Sequence, residues 1–224
     1  MLYKLVMKGV LLYSGGLDSS VLLYKLISKG IEIQALSLNY GQRHSRELQQ
    51  AKEICQALGV NLKRLELSPL KELLLGNSQT CADIEVPEGH YTEESMKLTV
   101  VPNRNMMMLS IAIAWAVGLK YDAVYFAAHS GDHTIYPDCR PEFIQAVDAC
   151  ARICDWHPVR VLAPFSQLSK TDIVRLGAKL DMPFGKTWSC YKGGERHCGK
   201  CGTCVERKEA FAKAELPDPT LYED

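Results

Sequence analysis

The sequence predicts an α/β protein: a doubly wound parallel sheet followed by a small C-terminal metal-binding tail. Three observations carry this. Short apolar runs rich in Ile, Leu and Val alternate with stretches of helical length, the pattern of a parallel sheet covered on both faces. The first run leads into a glycine- and serine-rich turn, Ser14-Gly15-Gly16-Leu17-Asp18-Ser19-Ser20. The composition shifts after Pro183, where Gly, Cys and Lys dominate. The expected organisation is a catalytic domain over 1–183 and a metal-binding segment packed on it over 184–224.

Gly9 to Tyr13 reads as a buried strand. A helix follows from about Asp18 to Lys29 and is closed by Gly30. Ile31 to Leu38 is the second strand, and Ser45 to Leu58 a helix stopped by Gly59. Val60 to Leu67 alternates apolar and charged residues, as a more exposed strand does. Ser68 to Leu75 has the length of a short helix. Gly76 to Leu98 is polar and irregular, and so long a loop is usually functional or mobile; it is a candidate lid. Thr99 to Val101 reads as short and extended, ended by Pro102. Asn105 to Leu119 is apolar on nearly every side, which predicts a buried helix. Tyr121 to Ala128 is the next strand, followed by a loop from His129 to Arg140. Pro141 opens a helix to about Asp155, and Arg160 to Ala163 is a strand. Ser169-Lys170-Thr171-Asp172 has capping-box spacing and opens a helix to about Leu180.

With 224 residues, 47% of them hydrophobic, the chain buries one sizeable core. Lys+Arg and Asp+Glu are both 26, so the net charge is zero. Proteins that grip a nucleic-acid backbone show a basic excess, so no nucleic-acid partner is expected. The N-terminus lacks the apolar stretch of a signal peptide. The longest apolar run, Met106 to Val117, is too short to span a bilayer, and no membrane partner is expected. Nine cysteines, an odd number with three at metal-ligand spacing, point to a reducing compartment. The expected location is the cytoplasm.

The glycine-rich turn has the logic of a phosphate loop. Gly15 and Gly16 let backbone N–H groups approach phosphate oxygens. Ser14, Ser19 and Ser20 add hydroxyls, and the following helix aims its N-terminus at the anion. Asp18 is placed to hold Mg²⁺ or to cap the helix. Tyr13, Ser14, Gly15, Gly16, Leu17, Asp18, Ser19 and Ser20 are therefore the candidate ATP-binding set. The Walker pattern is absent.

Cys198-Gly199-Lys200-Cys201-Gly202-Thr203-Cys204 is C-x-x-C-x-x-C, with Cys190 eight residues earlier. Four thiolates suit a closed tetrahedral Zn²⁺ site with a structural role, one ion per chain. An iron–sulfur cluster and a redox pair are the rival uses of such cysteines, and His197 is a rival ligand to Cys190. Cys150 and Cys154, spaced i, i+4, read as core.

Four polar loops fall where strands should end, which is where open α/β sheets bind ligands. They supply Tyr40, Gln42, Arg43 and His44; Asn103, Arg104 and Asn105; Asp132, Tyr136, Asp138 and Arg140; and Lys170.

The Ser14–Ser20 string resembles the signature of the PP-loop ATP pyrophosphatase family. The resemblance implies an adenine-nucleotide α-hydrolase-like fold, a five-stranded parallel sheet, and a substrate oxygen activated as an adenylate. Tyr40–His44, Val101–Asn105, Pro137–Phe143, Ser169–Asp172 and the cysteine tail extend it to the branch of that family in queuosine-precursor synthesis, from residue 13 to about 211. One departure is a slightly short Cys190–Cys198 gap. This closer resemblance implies a carbon–nitrogen ligase that uses Mg-ATP, ammonia and a deazapurine carboxylic acid, 7-carboxy-7-deazaguanine, to make the nitrile through an amide. A homodimer is expected on the same ground. Asp18, Lys170 and Arg104 become the candidate catalytic groups, the last two neutralising phosphate charge. Arg43 or Arg140 would hold the substrate carboxylate, Asp132 and Asp138 the guanine-like edge, and Tyr40 or Tyr136 the flat ring. His44 and His133 are candidate acid/base groups. The alternative is another PP-loop adenylating enzyme: a tRNA-modifying ligase, which the neutral charge disfavours, or an ammonia-dependent synthetase, in which the cysteine tail is unexpected. An inactive nucleotide sensor with a zinc knuckle would leave the polar loops unused.

Overall fold

Lys8–Leu12 (β1) lies at the centre of the sheet, and its Val10 and Leu11 are fully buried, as a strand covered on both faces requires. The computed structural model describes residues 7–43, 46–90, 97–134 and 136–223. Around β1 are Glu32–Asn39 (β2), Asn61–Glu66 (β3), Ala123–Tyr125 (β4) and Arg160–Leu162 (β5). All pairings are parallel, and the strand order is β3-β2-β1-β4-β5. The chain moves outward through β2 and β3, then returns to the other side of β1, so the order reverses between β1 and β4. That reversal opens a crevice at the strands' carboxyl ends.

Successive β1 side chains feed opposite layers. Leu11, Ala35 and Tyr125 pack with Leu17–Ser28 (α1) and Arg46–Leu58 (α2) through Val21, Leu22 and Ile54. The same layer holds Ile173 of Lys170–Lys179 (α5) and Phe211 of Gly202–Ala214 (α6). Val10, Leu36 and Val124 pack on the other side with Arg104–Leu119 (α3) and Pro141–Ala151 (α4), through Leu109, Ala116 and Val147.

Several elements differ from expectation. Thr99, expected to start an extended stretch to Val101, instead ends a helical turn over 97–99, Val100 and Val101 are irregular, and the chain turns at Asn103, whose φ of 55° is left-handed. The helix from Pro141 stops at Ala151, four residues before Asp155. β4 is confined to three residues because its partner β5 offers only three. α3 buries Leu109, Ala112, Ile113 and Ala116 against the sheet but leaves Met106 and Leu119 each 37% exposed, so it is not buried all round. Cys150 and Cys154 are exposed, not core. Lys97–Leu119 has the length and apolar content of a membrane-crossing helix, yet α3 proper has 16 residues and packs on β1 and β4. The long loop starts in an anchored turn: Asn77–Thr80 are buried, and Asn77 Oδ1 accepts from the Gln79 and Thr80 N–H groups at 3.0 Å. Residues 91–96 of the candidate lid lie outside the described residues.

Asp148 on α4 ties that helix to β5. Its Oδ1 accepts from Val161 N and from Arg160 Nε, both at 2.8 Å. Burial opposes ionisation, but Arg160 and the Val161 N–H outweigh it and hold the carboxyl below its usual range. Asp148→Ala should cost about 2 kcal/mol, because it strands a buried N–H. For a chain of this size that lowers Tm by roughly 4–8 °C. A folded-state pKa below the unfolded value stabilises above about pH 4 and is lost as pH falls through the folded value. Thermal unfolding should therefore separate variant from native at pH 7, and the gap should shrink towards pH 3. An unchanged Tm at pH 7 would remove Asp148 from the list of structural ties.

Candidate active site

The expected phosphate loop is built where β1 runs into α1. Gly15 has φ 85°, and a Cβ there would lie 2.2 Å from Glu47 O and 2.7 Å from Ala51 N. Only glycine lets α2 pack this close to the turn. Gly16 is the residue that precedes the first turn of α1. Ser14 Oγ accepts from Gly16 N at 3.1 Å and lies 3.0 Å from Ser19 Oγ. Ser20 is fully buried and bonds the Tyr13 hydroxyl at 3.1 Å, so it braces the loop from behind. The loop's open side faces the crevice, with the α1 N-terminus aimed into it.

Asp18 is not a cap. Its Oδ2 accepts from Lys170 Nζ at 2.6 Å, and its buried Oδ1 has no partner among the described residues. Lys170 is delivered by the N-terminus of α5, which has the capping box read from the sequence: Asp172 N donates to Ser169 Oγ at 3.2 Å, and Ser169 N to Asp172 Oδ2 at 3.0 Å. Lys170 also lies 3.5 Å from Glu206. Burial disfavours the ammonium, but Asp18 and Glu206 outweigh it and raise its pKa. Burial likewise disfavours the Asp18 carboxylate, and Lys170 more than compensates, holding its pKa down.

The opposite end is aromatic and cationic. Arg104 opens α3 and donates to Asn105 Oδ1 at 3.2 Å. Burial works against its charge, and Tyr40, Tyr191, Asp138 and Tyr136 overcome that, so its pKa rises. Tyr40 and Tyr136 are buried in the wall, with the Tyr136 hydroxyl 3.2 Å from Thr99 Oγ1. Asp132 stands between the two ends, among the pocket-lining side chains.

The remaining candidates lie elsewhere. Arg43 is spent on chain carbonyls, donating to Cys81 O, Ala82 O and Ile84 O at 2.5, 2.6 and 2.8 Å. Gln42 is buried behind Tyr40, accepting its N–H at 2.9 Å. Asp138 accepts from Asn105 N at 3.0 Å and so caps α3. Asn103 and Arg140 are exposed outside the pocket wall. His44 lies outside the described residues, as does the side chain of His133.

Sequence reasoning missed the tail's share of the pocket. Trp188, Ser189, Tyr191, Thr203 and Glu206 all line it. Trp188 N donates to Gly15 O at 3.2 Å, docking the tail on the phosphate loop. Arg207 is fully buried and holds that approach, donating to Phe184 O at 3.1 Å, Thr187 Oγ1 at 2.8 Å and Ser189 Oγ at 3.1 Å, with Asp218 beside it at 3.3 Å.

Cys190, Cys198, Cys201 and Cys204 are all buried, and their four sulfurs lie within 4.8 Å of one another. Tetrahedral thiolates about 2.3 Å from zinc sit about 3.8 Å apart, close to the 4.0 Å between Cys198 Sγ and Cys204 Sγ. Backbone N–H groups of Lys200 and Cys201 donate to Cys198 Sγ at 3.4 and 3.2 Å. The cluster is a fit for a structural metal. His197 is not part of it; its Nε2 accepts from Ser189 N at 3.0 Å.

The family model described as "Queuosine biosynthesis protein QueC" matches residues 8–215. A 7-cyano-7-deazaguanine synthase of Hahella chejuensis is 51% identical over 216 residues, covering 96% of this chain and 93% of that one. One from Methanoregula boonei is 50% identical over 217 residues, covering 97% of this chain and 100% of that one. Among solved structures, a 4-thiouridine synthetase–RNA complex with bound ATP superimposes with a TM-score of 0.53 at 18% identity, over 92% of this chain and 53% of that one. NMN synthetase from Francisella tularensis does so with a TM-score of 0.51 at 20% identity, over 81% of this chain and 64% of that one. These two establish a shared fold, the parallel α/β sheet expected from the sequence.

Proposed function

The chain belongs to the QueC family of queuosine biosynthesis, and from that premise we propose that it is an ATP-dependent carbon–nitrogen ligase converting 7-carboxy-7-deazaguanine and ammonia to 7-cyano-7-deazaguanine. One observation supports this most directly: a single crevice joins a phosphate loop with Lys170 at one end to a half-buried Arg104 among tyrosines at the other. That is the layout needed to bring a flat, anionic acid against the α-phosphate of ATP.

A carboxylate is a poor electrophile, so its oxygen must become part of a leaving group. The substrate oxygen attacks the α-phosphorus and pyrophosphate departs. Ammonia then adds to the acyl carbon and AMP leaves, giving the amide. A second activation of the amide oxygen lets it leave as AMP while the nitrile forms. The Ser14 and Ser19 hydroxyls and the free N–H groups at the start of α1 bind phosphate oxygens, and Lys170 neutralises the charge that develops on them. Asp18, whose buried Oδ1 has no hydrogen-bond partner among the described residues, would hold Mg²⁺, which would supply further charge neutralisation. Arg104 takes the carboxylate-holding part expected of Arg43 or Arg140. Tyr40, Tyr136 and Tyr191 offer faces for the ring. Cys190, Cys198, Cys201 and Cys204 would hold Zn²⁺, which would tie the 184–224 segment to the 1–183 catalytic unit. A cytoplasmic homodimer without a nucleic-acid partner completes the proposal.

Mass spectrometry of the purified protein with Mg-ATP, ammonium and 7-carboxy-7-deazaguanine tests it. The nitrile and AMP are the expected products. An active ATP site that yields neither amide nor nitrile would send the assignment to another PP-loop acceptor.

A further inference from the structure

Asp132 lines the crevice together with Asp18 and Lys170 of one end and Tyr136 and Cys139 of the other. Its charge acts on Lys170 at the phosphate end and on Tyr136 and Cys139 at the aromatic end. Any acid activated on the α-phosphate must place its acyl carbon at this junction, because that carbon joins the phosphate to the ring.

The carboxylate is oriented by its own turn. Its Oδ2 accepts from His129 N at 3.0 Å, and its Oδ1 faces His129 Nε2 at 3.6 Å. His129 is itself buried, and its Nδ1 accepts from Gly131 N at 3.1 Å. That bond leaves the ring proton on Nε2, pointing at Asp132. Gly131 leaves no room for adjustment, since a Cβ there would sit 2.9 Å from the imidazole. The other carboxylates nearby are engaged: Asp18 pairs with Lys170 at 2.6 Å, and Glu206 lies 3.5 Å from the same ammonium.

On the ligase reading above, the amide-forming step needs a proton acceptor at this junction. As ammonia bonds to the acyl carbon, its nitrogen becomes cationic and must lose a proton before AMP is expelled. We propose that Asp132 is the group that takes that proton, rather than a reader of the ring edge. The N–C bond forms, one N–H bond breaks to the Asp132 carboxylate, and the C–O bond to AMP breaks with its electron pair. Burial raises the Asp132 carboxyl above its usual range, against the pull of His129 and Lys170 and with the help of Asp18. A carboxylate with a raised pKa is a better proton acceptor than a solvated one. The charged and titratable groups around it are Lys170 from α5, Asp18 from α1, Glu206 from α6, and His129, Tyr136 and Cys139 from its own loop.

The half-reactions separate this role from others. In Asp132→Asn, pyrophosphate exchange into ATP that depends on the deazapurine acid should stay within about 3-fold of native, since adenylation precedes ammonia. Ammonia-dependent amide formation should fall about 10²–10³-fold at pH 7. The deficit should narrow towards pH 9, where hydroxide takes over as base. Asp132→Glu should recover at least about 10-fold over Asn. A rise in the KM for the acid with ammonia kinetics unchanged would overturn the proposal and restore the edge-reading role. An equal loss in both half-reactions, with Tm lowered, would reduce Asp132 to a brace for the turn. If the native protein supports neither exchange nor amide, the ligase reading itself fails, an outcome that the variants alone cannot mimic.

Discussion

Lys170→Met is expected to lower kcat by about 10²–10³-fold, the usual cost of removing one preorganised positive group from a transition state that gathers negative charge. The same change should destabilise the fold by roughly 3 kcal/mol, because it leaves the Asp18 carboxylate buried without its cation. The two effects separate in the double variant. Asp18→Asn with Lys170→Met removes both charges, so most of the lost stability should return while turnover stays low. The pair also has a defined pH window. Asp18 has a lowered pKa, so its contribution is present above about pH 4 and is lost as pH falls through the folded value. Lys170 has a raised pKa, so its contribution is fully present below about pH 10 and fades only as pH climbs through the higher folded value. Denaturant titration of native, single and double variants at pH 7, with steady-state kinetics beside it, measures both. A double variant that regains turnover together with stability would show that Lys170 only braces Asp18.

The groups legible in the sequence are those whose chemistry constrains consecutive residues. The Ser14–Ser20 turn is one, since Gly15 must be glycine for α2 to pass within contact of its Cβ position. The Ser169–Asp172 capping box and the Cys198–Cys204 knuckle are others, because cap and ligand spacing are local. What stayed hidden is set by distant chain. An arginine in a polar loop looks the same whether it will meet a substrate carboxylate or the carbonyls of Cys81, Ala82 and Ile84, so Arg43 was read as a ligand group. Asp138 looked like a free acceptor until the start of α3 came to rest on it. Tyr191 and Glu206 belong to the pocket only because the tail folds back over the phosphate loop, and no pattern within the tail encodes that return. The run from Asn105 to Leu119, apolar on nearly every side, predicts a buried helix; the sheet covers one face, and Met106 and Leu119 remain at the surface.

That return of the tail makes metal loss the other large expected effect. Structural zinc contributes on the order of 10 kcal/mol or more to the folding of small cysteine knuckles, and the 184–224 segment has little core of its own beyond Trp188 and the four cysteines, against which Val86 of the long loop packs. Cys201→Ser, or exhaustive chelation, should therefore release the knuckle. The consequence reaches the active site through named contacts. Thr203 Oγ1 holds Ser189 O at 2.8 Å, Trp188 N holds Gly15 O at 3.2 Å, and Glu206 faces Lys170 at 3.5 Å. Without them the crevice loses one wall and the phosphate loop loses a backbone partner. ATP affinity should fall at least about 10-fold, since a preorganised site must then be ordered by the ligand itself. Turnover should vanish, while the sheet and its buried strands keep most of the far-ultraviolet circular dichroism. Cys150→Ser is the control, because that thiol is exposed and outside the cluster; it should change neither metal content nor activity. Elemental analysis should give one metal per native chain and none in Cys201→Ser, and cobalt substitution should give the absorption of a tetrahedral thiolate site. Full ATP binding by metal-free protein would mean that the tail packs without its metal, and that the cluster serves some purpose other than holding this wall in place.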